Sequence, residues 1–181
     1  QVTGDISGLV VEQGAALDWS LAGGEQSDAI KLILNDLVTQ PSSSSNVAIA
    51  SGGDNDVVEI TARGRLDGEL HTDLGEGDDA FLFDALQGLQ AAAIPDTPCI
   101  VVEGDSGNDS VTFRVGSQVP ANPEFEASLG VDHDTFLFDA PQGIQAAAIP
   151  GGPCIIVQAG GGNDSIAMRF GGLIATNFEI D

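Results

Sequence analysis

The sequence predicts an all-β protein, a β-solenoid of the parallel β-helix or β-roll kind with about three repeats of 55 residues. Three observations predict this class. The segment 81–115 recurs without a gap at 136–170, so that FLFDALQGLQAAAIP is matched by FLFDAPQGIQAAAIP. Six short turns rich in glycine and aspartate divide the chain, and a short apolar segment follows each of them. An antiparallel β-sandwich of duplicated hairpins is the alternative that the same pattern allows.

The spacing of the turns predicts how the chain winds. Consecutive final aspartates are separated by 28, 23, 30, 25 and 30 residues. Because long and short steps alternate, each 55-residue repeat is expected to form two coils. The final aspartates are Asp28, Asp56, Asp79, Asp109, Asp134 and Asp164. We expect one repeat domain over 1–181, with a partial repeat at 1–22 and full repeats at 23–73, 74–128 and 129–181.

The segments that follow the turns have the alternation of half-buried strands. VVEI (57–60) and SVTF (110–113) alternate apolar residues with others. AFLF and TFLF place a phenylalanine on both sides of a leucine, so Phe81, Phe83, Phe136 and Phe138 are predicted core residues. The prolines near each AAAI segment are typical of corners, where a missing N–H matters least. They are Pro95, Pro98, Pro150 and Pro153.

The charge balance excludes several classes of protein. The chain has 28 Asp and Glu against 5 Lys and Arg, a net charge of −23. Nucleic-acid binders and basic membrane-surface modules need clustered cations, so both classes are excluded. With 42% apolar residues the chain is not an acidic disordered tail. No apolar run approaches the roughly 20 residues of a membrane span. Such an acidic surface repels itself, which predicts a divalent cation as partner.

The six turns resemble the nonapeptide of RTX proteins, GGxGxDxUx, in which U is a large apolar residue. AGGGNDSIA, GDSGNDSVT and LGEGDDAFL match it best. SGGDNDVVE and LGVDHDTFL carry Asp54 and Asp132 at the second glycine site, and GGEQSDAIK has Gln26 at a glycine site. RTX nonapeptides run in tandem, whereas each turn here stands alone. The resemblance therefore implies ions along only one edge of a wider solenoid.

The resemblance implies calcium shared between stacked turns. Glycines permit positive φ, and aspartates supply the hard oxygens that calcium takes in sets of six to eight. The expected ligands are Asp56, Asp79, Asp109, Asp134 and Asp164, assisted by Asp54, Asp78, Asp105 and Asp132. Two alternatives stay open. Aspartate and glycine can cap turns by hydrogen bonds alone, or one or two turns can bind calcium while the others are caps.

The remaining candidate residues give weaker predictions. Cys99 and Cys154 occupy equivalent repeat positions, so two coils per repeat would separate them by about 10 Å, beyond disulfide reach. We expect free thiols, although one coil per repeat would allow a bond. His71 and His133 are too few for a zinc site.

The sequence favours a protein without catalytic activity. No nucleophile motif, P-loop or dinucleotide fingerprint is present. Arg114 and Arg169 recur five residues after a turn aspartate, and we expect them to pair with a neighbouring turn's carboxylate. Some polysaccharide lyases combine a β-helix, calcium and an arginine base. This chain is short for a lyase, and its charge would repel an anionic polysaccharide.

We therefore expect a secreted structural protein at the cell surface or beyond it. Calcium would stabilise the solenoid, and copies would join head to tail into a filament when residues 171–181 add a strand to a neighbour. Gln1 in place of methionine is consistent with a processed, exported chain. The alternative is a calcium-dependent adhesin or carbohydrate-binding module of an exported protein, with a surface glycan as its ligand.

Overall fold

The computed structural model describes residues 1–13, 15–39, 44–66, 68–86, 89–91, 100–116, 125–143, 155–172 and 178–181. Within these ranges the chain forms strands and turns, and it contains no helix that could cross a membrane. Both cysteines and the predicted proline corners lie outside the described residues.

Most strands belong to two parallel sheets, which we name by their position relative to the acidic turns. The upstream sheet, whose strands lead into the turns, has the order β18-β15-β12-β10-β7-β5-β3. These strands are β3 (Ala16–Gly24), β5 (Ser44–Gly52), β7 (Glu69–Asp73), β10 (Ile100–Glu103), β12 (Phe125–Ser128), β15 (Ile155–Gln158) and β18 (Phe178–Ile180).

The downstream sheet, whose strands mostly leave the turns, has the order β1-β4-β6-β8-β11-β14-β17. These strands are β1 (Val2–Ser7), β4 (Ala29–Thr39), β6 (Val57–Leu66), β8 (Ala80–Ala85), β11 (Ser110–Val115), β14 (Thr135–Ala140) and β17 (Ser165–Phe170). Two short strands extend it, because β2 (Val10–Val11) pairs with β4 and β9 (Leu89–Ala91) pairs with β6. Within the turns, β13 (Val131–Asp132) pairs with β16 (Gly161–Gly162).

The strand pairing confirms the β-solenoid and the predicted two coils per repeat. All ladders between the described strands are parallel, as stacked coils require and an antiparallel sandwich does not. Phe81 is in register with Val111, which is in register with Phe136. Phe81 and Phe136, which are equivalent in the two copies of the long repeat, are therefore two coils apart, so each copy contributes two coils.

The core lies between the two sheets and is rich in aromatic rings. Phe83, Phe113 and Phe138 point inward from adjacent strands of the downstream sheet, and all three are fully buried. Phe125 faces them from the upstream sheet, with its ring centroid 5.3 Å from that of Phe113 and 5.2 Å from that of Phe138. These edge-on contacts add to the burial energy of the rings. The predicted core phenylalanines are confirmed.

One row of charges crosses the outer face of the downstream sheet. Asp84, Arg114, Asp139 and Arg169 are in register on consecutive strands, so the sign alternates along the row. The two arginines were expected beside turn carboxylates, but the register places each between strand aspartates or next to one. Opposite charges on adjacent strands favour this register over like-charged pairs.

Candidate functional site: the stacked acidic turns

The six acidic turns stack in register along one edge of the solenoid. Gly53, Glu76, Ser106 and Val131 bridge one another in parallel, and Val131 also pairs with Gly161. Equivalent turn positions therefore lie above one another, about 4.8 Å apart per coil. This stacking brings the six final aspartates into one column, as the spacing of the motifs predicted.

The final aspartates form what we call the inner ladder. The first five each donate their backbone N–H to the Oδ1 of the final aspartate in the next coil, at distances of 2.6 to 3.0 Å. One carboxylate oxygen per turn thus holds two coils together. The donor and acceptor pairs are Asp28 to Asp56, Asp56 to Asp79, Asp79 to Asp109, Asp109 to Asp134, and Asp134 to Asp164.

The second oxygen of four of these carboxylates is buried without a hydrogen-bond partner. The residues are Asp56, Asp79, Asp109 and Asp134, each at most 2% exposed. Their Oδ2 atoms find no donor among the residues that the structure describes. A buried carboxylate with an unsatisfied oxygen is strongly unfavourable. A proton or a cation is the partner that such an oxygen requires.

Burial weakens the acidity of three carboxyls in the column. It raises the pKa of Asp79 to about 6 and that of Asp109 to about 7, and the charges of neighbouring aspartates in the turns add to both shifts. Burial also raises the pKa of Asp134. The backbone N–H that each carboxylate accepts opposes the shift without cancelling it. Near neutral pH Asp79 and Asp109 are therefore close to their titration points.

A second set of side chains forms an outer ladder on the exposed side of the turns. These residues immediately precede the final aspartates, and here the N–H of the later coil donates to the side chain of the earlier one. The direction is opposite to that of the inner ladder, with distances of 2.8 to 3.3 Å. The members are Asn55, Asp78, Asn108, His133 and Asn163.

Sequence reasoning missed the three asparagines of the outer ladder. Their signal was the dipeptide that ends five of the six turns, in which Asn, Asp or His stands before the final aspartate. His133 belongs to this ladder, where its Nδ1 accepts the N–H of Asn163. His71 lies on a strand instead, with its Nε2 3.3 Å from a carboxylate oxygen of Glu103.

The four assisting aspartates do not join the buried column. Asp54, Asp105 and Asp132 are exposed and adopt positive φ angles of 71°, 64° and 85°, which short polar residues tolerate in turns. Asp78 is also exposed, and hydrogen bonds from Asn108 lower its pKa. Across the described ranges, no three Asp, Glu, His or Cys side chains gather into a metal-binding group. Any cation at the column must therefore take backbone or water oxygens as well.

In two of the turns a glycine lets a carboxylate oxygen and a backbone carbonyl oxygen come close to each other. A Cβ added to Gly104 would clash with the carbonyl oxygen of Leu129 and lie 2.7 Å from Oδ2 of Asp109. A Cβ on Gly23 would likewise clash with a carbonyl of the next coil, that of Ser51, and lie 3.2 Å from Oδ2 of Asp28. A carboxylate oxygen and a carbonyl oxygen thus converge on the space that each glycine leaves. This donor set suits a hard cation such as calcium.

The other turns differ at this position. Leu74 and Leu129 occupy it in their own turns, and both are fully buried. Ser51 fills it in another turn and donates its hydroxyl to the carbonyl of Leu74 at 2.6 Å. The six turns are therefore not equivalent, because turns 23–28 and 104–109 have a glycine at the position where the others carry a side chain.

No family model matches the chain, and no curated protein or solved structure is significantly similar to it. The likeness to RTX turns is therefore one of sequence pattern, and no comparison assigns a family.

Proposed function

We propose that this chain is a secreted structural protein without catalytic activity, a β-solenoid that calcium stabilises through its acidic turns. The solenoid would work at the cell surface or beyond it, as the unit of a filament. The observation that carries the proposal is the buried column of carboxylates, each with an unpartnered oxygen. The absence of nucleophile and nucleotide-binding motifs in the sequence supports a structural role.

Electrostatics supports a cation at the column. Two unit charges one coil apart repel by about 3 kcal/mol at an effective dielectric constant near 20. Protons relieve that repulsion in mild acid, because burial raises the pKa of Asp79 and Asp109. Above neutral pH the carboxylates are charged, and a cation must take over. The net charge of −23 adds to this need.

The turn at 104–109 is the best supported calcium site. Asp109 and Leu129 lie in adjacent coils, and their oxygens meet at Gly104. A bound calcium ion would supply positive charge there and link the two coils. Asp109 would hold it through Oδ2 while Oδ1 keeps the N–H of Asp79. Extracellular calcium modules bind with dissociation constants of about 10⁻⁴ to 10⁻³ M, which suits a secreted protein.

Sedimentation velocity combined with thermal unfolding tests the proposal. The chain would be measured in chelator, in millimolar calcium and in millimolar magnesium. We expect calcium to raise the melting temperature and to promote large species more than magnesium does. A monomer that calcium stabilises without assembly would favour a calcium-dependent binding module over a filament. No change in stability or size with calcium would refute the role of the ion.

A further inference from the structure

We propose that two copies of the chain pack face to face through the outer face of the downstream sheet, so that the partner this face fits is a second copy. The contact uses the four coils that carry β8, β11, β14 and β17. A two-fold axis parallel to the strands runs between β11 and β14 and makes the two solenoids antiparallel. This pairing goes beyond the proposed function, because it needs neither calcium nor a filament. It concerns the side of the solenoid, which further coils at either end would leave uncovered.

Two kinds of coil alternate across this face. The coils of β8 and β14 come from one half of the 55-residue repeat, and those of β11 and β17 come from the other half. Their outward residues alternate with buried or half-buried inward ones along each strand. In register, the first kind presents leucine and aspartate where the second presents a small residue and arginine. The leucine row is Leu82, Thr112, Leu137 and Ala167, and the charged row is Asp84, Arg114, Asp139 and Arg169.

The charged row is complementary to its own reverse. An axis between β11 and β14 sets Arg114 against Asp139 of the second copy, and Asp84 against Arg169. An axis along the solenoid, or one that runs along a strand, would set like charges against each other, which is unfavourable. An axis between β8 and β11, or between β14 and β17, would match only two of the four charges. The signs therefore select both the direction and the position of the axis.

The charge of this face differs from that of the whole chain. The chain has a net charge of −23, yet the two aspartates and two arginines of the charged row balance. All five Lys and Arg residues of the sequence lie on strands of the downstream sheet. Among the residues that the structure describes, neither Arg114 nor Arg169 has an ion-pair partner. Two copies can therefore approach through this face with little repulsion, and each arginine gains a carboxylate.

Side-chain size follows the same two-fold axis. In the leucine row the axis sets Leu82 against Ala167 of the second copy, and Leu137 against Thr112, so that a large side chain meets a smaller one each time. The row nearest the turns has only small residues, which let the two sheets approach. They are Ala80, Ser110, Thr135 and Ser165.

The far edge of the face repeats this fit. Leu86, directly after β8, is 45% exposed. The equivalent residue after β17 is Gly171, which stacks so closely on the backbone of Pro141 that a Cβ there would clash. The axis sets Leu86 against Gly171 of the second copy, where there is no side chain to oppose it. Charge and size thus favour one arrangement of the two copies.

Two double exchanges of charge test the pairing by sedimentation velocity of the 181-residue chain, in chelator and about 0.15 M salt. Arg114→Asp with Asp139→Arg keeps every charge opposite across the axis but sets like charges side by side at two places within the sheet. Asp139→Arg with Arg169→Asp sets like charges across the axis throughout, with like neighbours at only one place within the sheet. Both preserve the net charge.

We expect the wild type and the first charge variant to pair as the concentration rises, and the second to pair at least tenfold more weakly. The titration extends to high micromolar concentrations, because four strands about 4.8 Å apart make a small face. Ala167→Phe should also weaken pairing at least tenfold, since its ring would meet Leu82 of the second copy. Ala50→Phe is the matched control, because Ala50 is exposed on the outer face of the upstream sheet.

Three outcomes would overturn the pairing. They are a wild-type chain that stays monomeric throughout the titration, equal association of the two charge variants, and equal association of Ala167→Phe and Ala50→Phe. Circular dichroism would confirm that each variant is folded. If calcium stabilises the chain while the two charge variants associate alike, the pairing is wrong and the proposed function stands. If association in chelator follows the charges across the axis but calcium never changes the stability, the calcium role is wrong and the pairing stands.

Discussion

Replacing Asp109 by asparagine changes the charge of the buried column while preserving its shape. The variant keeps an oxygen that can accept the N–H of Asp79, now 2.9 Å from Oδ1. At the place of the unpartnered Oδ2 it puts an amide, which faces the carbonyl of Leu129 across Gly104. The substitution therefore removes the buried charge and gives the site a donor.

The size of the effect follows from the pKa of Asp109, which burial raises from an ordinary value near 3.8 to about 7. The folded state holds this proton more tightly than the unfolded chain does. Stability is therefore greatest below the ordinary pKa and falls as the pH rises from about 4 to about 7. At about 1.4 kcal/mol per pKa unit, the loss at Asp109 is on the order of 4 kcal/mol. Asp109→Asn does not lose this stability, because asparagine has no carboxyl group to ionise.

Urea unfolding followed by circular dichroism, at about pH 5 and about pH 8, measures the difference. At pH 8 in chelator we expect Asp109→Asn to be more stable than the wild type by about 2–4 kcal/mol. Millimolar calcium should then stabilise the wild type and leave the variant unchanged. Asp132→Asn is the matched control, because Asp132 is exposed and asparagine tolerates its positive φ. A variant less stable than the wild type at pH 8, or calcium acting equally on both, would refute the reasoning.

Three further substitutions test the packing and the turns. Gly104→Ala should destabilise the fold by about 1–3 kcal/mol in urea unfolding, because its Cβ meets backbone of the next coil, whereas Gly161→Ala points into open space and should be neutral. Equal midpoints for these two would contradict the close stacking of the turns. Phe113→Ala should lose about 3–5 kcal/mol in the same assay, since its ring contacts five other phenylalanine rings. Asn108→Ala should cost under about 1 kcal/mol and raise the pKa of Asp78 in an NMR titration, and an unchanged pKa would argue against the outer ladder.

The winding of the chain could be predicted from the sequence because a repeated sequence segment indicates a repeated structural unit. A gapless 55-residue offset with two turns inside it requires two similar coils, and the register of Phe81, Val111 and Phe136 confirms them. Alternation along the strands identified the aromatic core for the same reason. Asp78 and Asp79 are adjacent in an extended segment, so they face opposite ways, and one is exposed while the other is buried.

The unequal turns could not be predicted, because they depend on contacts between coils. Gly104 and Leu129 are both the first residue of a turn, but only the folded chain shows that the carbonyl oxygen of Leu129 lies beside Gly104 and Oδ2 of Asp109. The unpartnered oxygens arise in the same way, since a carboxylate's partners come from residues 23 to 30 positions away. The contact between Trp19 and Gly4 could not be predicted either, because these residues come together only in the folded chain.

Diffraction from crystals grown in millimolar calcium, recorded at a long wavelength where calcium scatters anomalously, is the most direct test of a cation in the buried column. The proposal predicts an anomalous peak at about 2.3–2.6 Å from Oδ2 of Asp109, with the carbonyl of Leu129 among its ligands. The equivalent space at Gly23 is the next position expected to be occupied. Crystals of Asp109→Asn should lack the first peak. A wild-type map with no anomalous peak along the turns would contradict the proposal, because protons and hydrogen bonds alone would then stabilise the buried carboxylates.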